Sequence, residues 1–313
     1  MALRLACLLT LAFFSANVFA GDVLRFTFNP PNGTEFVETV RSTKTVSGTP
    51  KEAPDVDVTE TRGAYSILKT QDGYLVKTRA VGPSDTKASP KVEAIQNAIL
   101  DMKLTYVLDR RGHLQRIMGL ESTLRAGGMY ETASSILQLF GITDVKAFVE
   151  QQWVARELFI AGAVDQVETD RLYELDAEMS GLGGIGPVNS HNQIKATYPV
   201  TCSGRRCARL ESTSVSEDPK AIESLSKVMY SAMAALMEMM EPGSSRGGQN
   251  LPKFQTRHSM YSVREVRLVY PETSLPYSDS KSTILSAEFR MSNDEAWVPV
   301  RIEEKVDYSY NYR

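Results

Sequence analysis

Residues 298–312 read Val298-Pro-Val-Arg-Ile-Glu-Glu-Lys-Val-Asp-Tyr-Ser-Tyr-Asn-Tyr312, and their alternation decides the fold class. Val298, Val300, Ile302, Val306, Tyr308, Tyr310 and Tyr312 fall on one face, with Glu304 the single intruder. Arg301, Glu303, Lys305, Asp307, Ser309 and Asn311 fall on the other. A period of two with one dry and one wet face marks an antiparallel strand packed on one side only. Three further runs alternate as cleanly: Leu285, Ala287, Phe289 and Met291; Tyr173, Leu175, Ala177 and Met179; and Ile194, Ala196, Tyr198 and Val200.

Working outward, weaker alternation predicts strands at Leu24–Phe28, Glu35–Val46, Val58–Lys69, Gly73–Val81, Met102–Leu108, His113–Met118, Ala208–Ser214 and Arg257–Tyr270. Asp72-Gly73 and Arg111-Gly112 lie between paired runs as hairpin turns. In Arg257–Tyr270 the apolar set changes phase near Arg264, which a β-bulge there would explain. Helical spacing is found in Pro90–Asp101, in Glu131–Ala161 with a break at Gly141, and in Pro219–Met240, where Ile222, Leu225, Met229, Met233, Leu236 and Met240 recur on one face. Loops rich in Gly, Pro and Ser separate these pieces, at Ser47–Pro54, Gly82–Ser89, Gly181–Pro187 and Pro242–Pro252. The expected class is α+β. A twisted, largely antiparallel sheet, with a half-barrel among the forms open to it, carries three helical regions on its apolar face.

The 313 residues include 35 Lys+Arg, 38 Asp+Glu and 42% hydrophobic residues, which is ordinary globular composition. Collagen-like, disordered and coiled-coil classes are excluded. A formal charge of −3 removes the electrostatic case for a nucleic-acid partner, which needs basic surface to displace phosphate counterions.

Residues 1–20 read as a secretory signal peptide. Arg4 supplies the positive region, Leu5–Phe14 the apolar one, and Val18-Phe19-Ala20 the small residues before cleavage at Gly21. The apolar run is shorter than the roughly 20 residues a membrane helix needs, and no other stretch of the sequence reaches that length. A lipoprotein acylated at Cys7 is disfavoured, because Arg4 stands where a lipobox needs an aliphatic residue. The expectation is a signal peptide over 1–20 and a single domain over 21–313, periplasmic or secreted. With Cys7 removed, Cys202 and Cys207 remain, an even pair in an oxidising compartment and so a disulfide candidate across a four-residue turn containing Gly204.

Several chemical motifs fail on context. Gly181-Leu-Gly183-Gly-Ile-Gly186 matches a dinucleotide fingerprint, but Pro187 and another strand follow instead of the helix the pyrophosphate needs. Ser224-Leu-Ser-Lys227, on the polar side of its helix, and Ser278-Asp-Ser-Lys281, read as loop, match Ser-x-x-Lys without either companion motif. His113, His191 and His258 are scattered, and none has a ligand at metal spacing. Asp55-Val-Asp57 and Glu303-Glu304 lack the spacing of a calcium loop. No catalytic residue, metal or cofactor is expected. Met229, Met233, Leu236, Met237 and Met240 stand apart, because methionine adapts to irregular apolar partners. That segment either fills core against the sheet or lines an apolar pocket.

Two stretches resemble a group of exported bacterial proteins of unknown function. Tyr106-Val-Leu-Asp-Arg-Arg-Gly112-His-Leu, leading to Ile117-Met-Gly119-Leu-Glu, is similar to their strand–turn–strand ending at a helix start. Tyr270-Pro-Glu-Thr-Ser-Leu-Pro276, with Ser278-Asp-Ser-Lys281 and two final strands, is similar to their closing segment and to the Leu-Pro segments of lipoprotein-carrier half-barrels. The resemblance implies a curved antiparallel sheet in an envelope protein and supplies no catalytic residues. The functional expectation is non-enzymatic binding of an apolar or lipid-like ligand, lined by Met229, Met233, Leu236, Met237 and Met240. The alternative is a structural or interaction protein of the envelope with no ligand.

Overall fold

The structure, a computed structural model, describes residues 22–48, 54–81, 103–126, 130, 166–179, 188–217, 255–290 and 296–313. In chain order the strands are β1 Val23–Arg25, β2 Thr34–Ser47, β3 Asp55–Lys69, β4 Gly73–Ala80, β5 Lys103–Asp109 and β6 Leu114–Met118. After one short helix, α1 (Leu120–Ala126), come β7 Gln166–Glu168, β8 Leu172–Met179, β9 Val188–Cys202, β10 Arg205–Ser216, β11 Gln255–Tyr270, β12 Leu275–Arg290 and β13 Val298–Tyr312. Eleven strands form one sheet in the order β6-β5-β4-β3-β2-β13-β12-β11-β10-β9-β8, and β1 and β7 form a separate ribbon. Every strand pair is antiparallel. The last strand, β13, pairs with β2, the first strand of the large sheet, so the two ends of the chain close the middle of it.

The α+β expectation is overturned. Among the described residues the architecture is an antiparallel sheet, and α1, at seven residues, is the one helix. The segments read as helical, Pro90–Asp101, Glu131–Ala161 and Pro219–Met240, lie outside the described residues, as do residues 1–20. Strand length is the physical reason for the β character. Strands β3, β9, β11, β12 and β13 run 15 or 16 residues, against a usual length of about 5–6. Stretches read as strand plus loop are strand throughout. The first half of β12, Leu275 to Thr283, carries enough Ser, Asp and Pro to look like a loop, yet it pairs with β11 and, from Ser278 onward, with β13 as well.

The bulge expected near Arg264 is elsewhere. Arg264 pairs in register with Ser282. The register shifts between Arg257 and Met260, where His258 adopts φ +49°, and again between Leu268 and Val269. The apparent change of phase has a different cause. One face of β11 turns from Tyr261 and Val263 to Glu265 and Arg267, while the other turns apolar at Val266 and Leu268.

The sheet is strongly curved, and residues 22–31 show it. Leu24, Phe26, Phe28 and Pro30 are buried while the residues between them are exposed, so this strap lies along the sheet with one side inward. Leu24 and Phe26 pack with Ala208, Val269, Leu210 and Tyr198 of the β9–β11 arm. Phe28 meets Tyr74 of β4 edge-to-face at 4.8 Å, and the Tyr74 hydroxyl donates to the Phe28 carbonyl at 3.2 Å. From β10 to β4 the sheet measures about 29 Å along its hydrogen bonds, whereas Leu24 to Phe28 spans about 14 Å. Both arms touch the strap only if the sheet rolls into a trough around it. Gly112, at φ +87°, completes the seat: a Cβ there would stand 2.6 Å from the Phe28 ring.

Register places Phe36, Tyr65, Ile67, Val76, Leu108 and Tyr312 on the same inner face as the strap. These side chains, with Phe28, Tyr74, Tyr270 and Leu275, form the main core, so one end of the trough is filled. The turns at this end are tight: residues 70–72, 110–113, 203–204 and 271–274. The connections 49–53, 180–187, 218–254 and 291–295 attach at the opposite end, the rim.

Cys202 and Cys207 flank the β9–β10 turn at Ser203–Gly204, both at positive φ as a two-residue hairpin of this hand requires. Their Cα atoms are 5.9 Å apart, they form a disulfide, and both are buried in the main core. The turn has two residues, not the four expected. Thiol labelling under denaturing, non-reducing conditions should find neither cysteine free. Replacing both by Ala should cost about 2 kcal/mol from the short loop alone, plus the cavity left in the core. Substantial labelling of the untreated protein would sink the assignment.

Candidate functional site

The inner face changes character along the trough. Beyond the filled end, register aligns Tyr308, Asp279, Arg267, Leu210 and Ala196 in one row across β13, β12, β11, β10 and β9. The next row is Val306, Lys281, Glu265, Ser212 and Ile194. Two rows further on, the lining is apolar again: Val46, Ile302, Leu285 and Tyr261, followed by Val300 and Ala287. Leu285, Ala287, Tyr261 and Ile302 pack together as a small cluster separate from the main core.

The middle rows form an ionic belt. Arg267, 7% exposed, donates from Nε to Asp279 Oδ2 at 3.2 Å and also bonds to Glu265. Asp279 is 8% exposed, and its Oδ1 has no hydrogen-bond partner. Burial is the largest influence on this carboxyl and pushes its pKa up to about 6; Arg267 opposes that shift and the Glu265 carboxylate adds to it. Deeper in the trough, the Tyr65 hydroxyl donates to Glu38 Oε2 at 2.9 Å. Sequence reading missed this belt because Glu265, Arg267 and Asp279 occupy inward positions that alternation reserves for apolar residues. Their period was the available signal.

The outer face is charged on some strands and apolar on others. On β13 it presents Arg301, Glu303, Lys305 and Asp307, and on β8 Glu174 and Asp176, whereas on β3 it presents the exposed Val56 and Val58. The three histidines lie apart, each beside one carboxylate: His113 with Asp109 at 3.1 Å, His191 with Asp176 at 2.8 Å and His258 with Glu288 at 3.4 Å. Ser278-Asp-Ser-Lys281 is in β12 and not in a loop, and three residues along a strand put Ser278 outside and Lys281 inside. That match cannot bring a lysine to a serine. Residues 224–227 and 181–186 lie outside the described residues, but the strands flanking the latter pair antiparallel, Met179 against Val188, so no βαβ unit surrounds it.

The expected ligand lining, Met229, Met233, Leu236, Met237 and Met240, also lies outside the described residues. Its attachment points are described. Strand β10 ends at Ser216, beside Tyr261, and β11 begins at Gln255, opposite Arg290, so residues 218–254 leave from and return to the rim.

No protein-family model and no curated protein matches the chain. Among solved structures it matches the outer membrane protein OprG from Pseudomonas aeruginosa, at 6% identity over 90% of this chain and 95% of that one, with a TM-score of 0.19. At that TM-score the two backbones do not superpose as one fold.

Proposed function

We propose that this chain is an exported, non-enzymatic binding protein of the cell envelope that holds an apolar or lipid-like ligand in the rim half of its trough. One observation carries the reading: the apolar rows of Val46, Ile302, Leu285, Tyr261, Val300 and Ala287 on the inner face, set apart from the filled end by an ionic belt. The methionine-rich segment is tethered beside those rows, and Met229, Met233, Leu236, Met237 and Met240 would complete the lining. The filled end leaves no room there, so the ligand sits towards the rim. The buried Cys202–Cys207 disulfide fits an oxidising compartment. The outward charges of β8 and β13 fit water, because a lipid-spanning barrel presents an apolar band about 25 Å tall to its surroundings.

Native mass spectrometry of the protein purified from its own host tests this reading. Co-purified lipid is expected, together with enhanced fluorescence of Nile red, an uncharged apolar probe. Ile302→Lys, at the half-buried rim, and Met233→Lys should each weaken probe binding by about tenfold, the scale set by losing one buried apolar side chain from the site. A clean apo mass with no fluorescence gain would leave a structural protein without ligand as the better account.

A further inference from the structure

The outer face of the β2–β5 arm carries a cleft of about 460 Å³ lined by Lys77, Arg79, Lys103 and Arg313. Val37 and Ala64 form its floor, and among the described residues Glu35 supplies its single side-chain carboxylate. The chain as a whole has a formal charge of −3, so this concentration of cations runs against its composition. An acidic surface lies on the other arm, at Glu174 and Asp176 of β8.

The register makes the cleft sharper than a basic patch. Arg79 stands directly opposite Lys103 across β4 and β5, and Lys77, two residues before Arg79, shares their face. Like charges directly opposite on neighbouring strands destabilise a sheet. Among the described residues none of the three makes an ion pair. An arrangement that costs stability in the free protein is relieved by an anion between the two side chains. A single carboxylate would offset one charge of the surplus. A phosphate group carries close to two negative charges near neutrality and three acceptor oxygens. Arg79 offers the planar fork that takes two of those oxygens, and the two lysines offer point charges for the remainder.

We propose that this cleft is a binding site for a phosphate-bearing ligand, whose oxygens bridge Arg79, Lys103 and Lys77 while the attached group rests on Val37 and Ala64. The site is on the opposite face of the sheet from the trough and does not depend on what the trough holds. A soluble phosphate monoester and the monoester headgroup of phosphatidic acid share this chemistry.

Two probes separate these sources: inorganic pyrophosphate, followed by titration calorimetry, and phosphatidylcholine vesicles containing phosphatidic acid, followed by flotation. The full chain is expected to bind at least one of them, and raising the salt should weaken that binding by screening. Arg79→Gln with Lys103→Gln should lose at least about tenfold in affinity, because two charge-assisted contacts go. Lys195→Gln with Arg264→Gln, which removes the same charge from the outer face of the other arm, should bind as the parent does. Pyrophosphate binding alone assigns the site to a soluble ester, and vesicle binding alone assigns it to a lipid headgroup. No binding of either probe, or equal loss in both variants, overturns the proposal. The Arg79→Gln, Lys103→Gln variant should melt no lower than the parent, since it removes a like-charge pair. A clear fall in its melting temperature would mean that the two cations are structural, and that also overturns the proposal.

Discussion

Phe28→Ala is expected to cost about 3–5 kcal/mol in chemical denaturation, the range for truncating a fully packed aromatic side chain. The size follows from where the ring sits. It packs edge-to-face on Tyr74 from β4, fills the space above Gly112 in the β5–β6 turn, and belongs to the core that includes Phe36, Tyr270 and Leu275. Its neighbours cannot collapse into the cavity without moving one arm of the trough, so relaxation recovers little. The strap is also held by backbone bonds that the substitution leaves in place, from Thr27 N to Pro271 O at 2.9 Å and from Thr169 N to Asp22 O at 3.0 Å. The loss therefore reports side-chain packing between the arms. Thr27→Ala, whose side chain points outward, should change stability by less than about 0.5 kcal/mol. A loss below about 1 kcal/mol at Phe28 would mean that the strap does not hold the two arms together.

The strap shows what the sequence made legible and what it hid. Alternation in residues 24–28 was readable as a strand, and one side of that segment is buried, but only Val23–Arg25 pairs, and it pairs with β7, three residues that no periodicity could reveal. Nothing local says that Phe26 packs on β10 and β11 or that Phe28 meets β4, strands more than forty residues away. The large sheet was legible wherever one face is dry and the other wet, as in β8, β9 and β13. It was not legible in β12, where small polar residues cover both faces over Ser278 to Thr283 and long-range pairing overrides weak strand propensity. The helical reading of residues 90–101, 131–161 and 219–240 concerns segments outside the described residues, and the α+β class built on them gave way to the sheet that the described strands form. The site followed the same logic. The apolar rows near Ile302 and Leu285 lie within strands whose alternation is clean, whereas the ionic belt breaks the alternation and reads as a bulge.

Arg267→Met should be the second severe lesion, costing about 3–5 kcal/mol, because it strips the counter-ion from the buried Asp279 and from the partly exposed Glu265 beside it. Glu265 and Asp279 would be left facing the same space, and Asp279 already has one oxygen without a partner. The sign of the pH dependence follows from Asp279. Its carboxyl is raised from an ordinary 3.8 to about 6, by burial first and by the Glu265 carboxylate, with Arg267 pulling the other way. The folded protein thus binds a proton that the unfolded chain has released. The stability this group contributes is fully present below pH 3.8 and is lost as the pH rises through about 6. Asp279→Asn removes the titration while keeping the shape, and it leaves Arg267 paired with Glu265. It should be more stable than the parent at pH 8, by something on the order of 2 kcal/mol, and should lose that advantage at pH 4. Arg267→Met should behave in the opposite sense, with its largest deficit above pH 6, where Asp279 is ionised. Urea denaturation of the three proteins at pH 4 and pH 8 separates these outcomes. If Asp279→Asn lowered stability at pH 8, the aspartate would be acting there as the needed partner of Arg267, and its attraction to Arg267 would outweigh the cost of burying its charge.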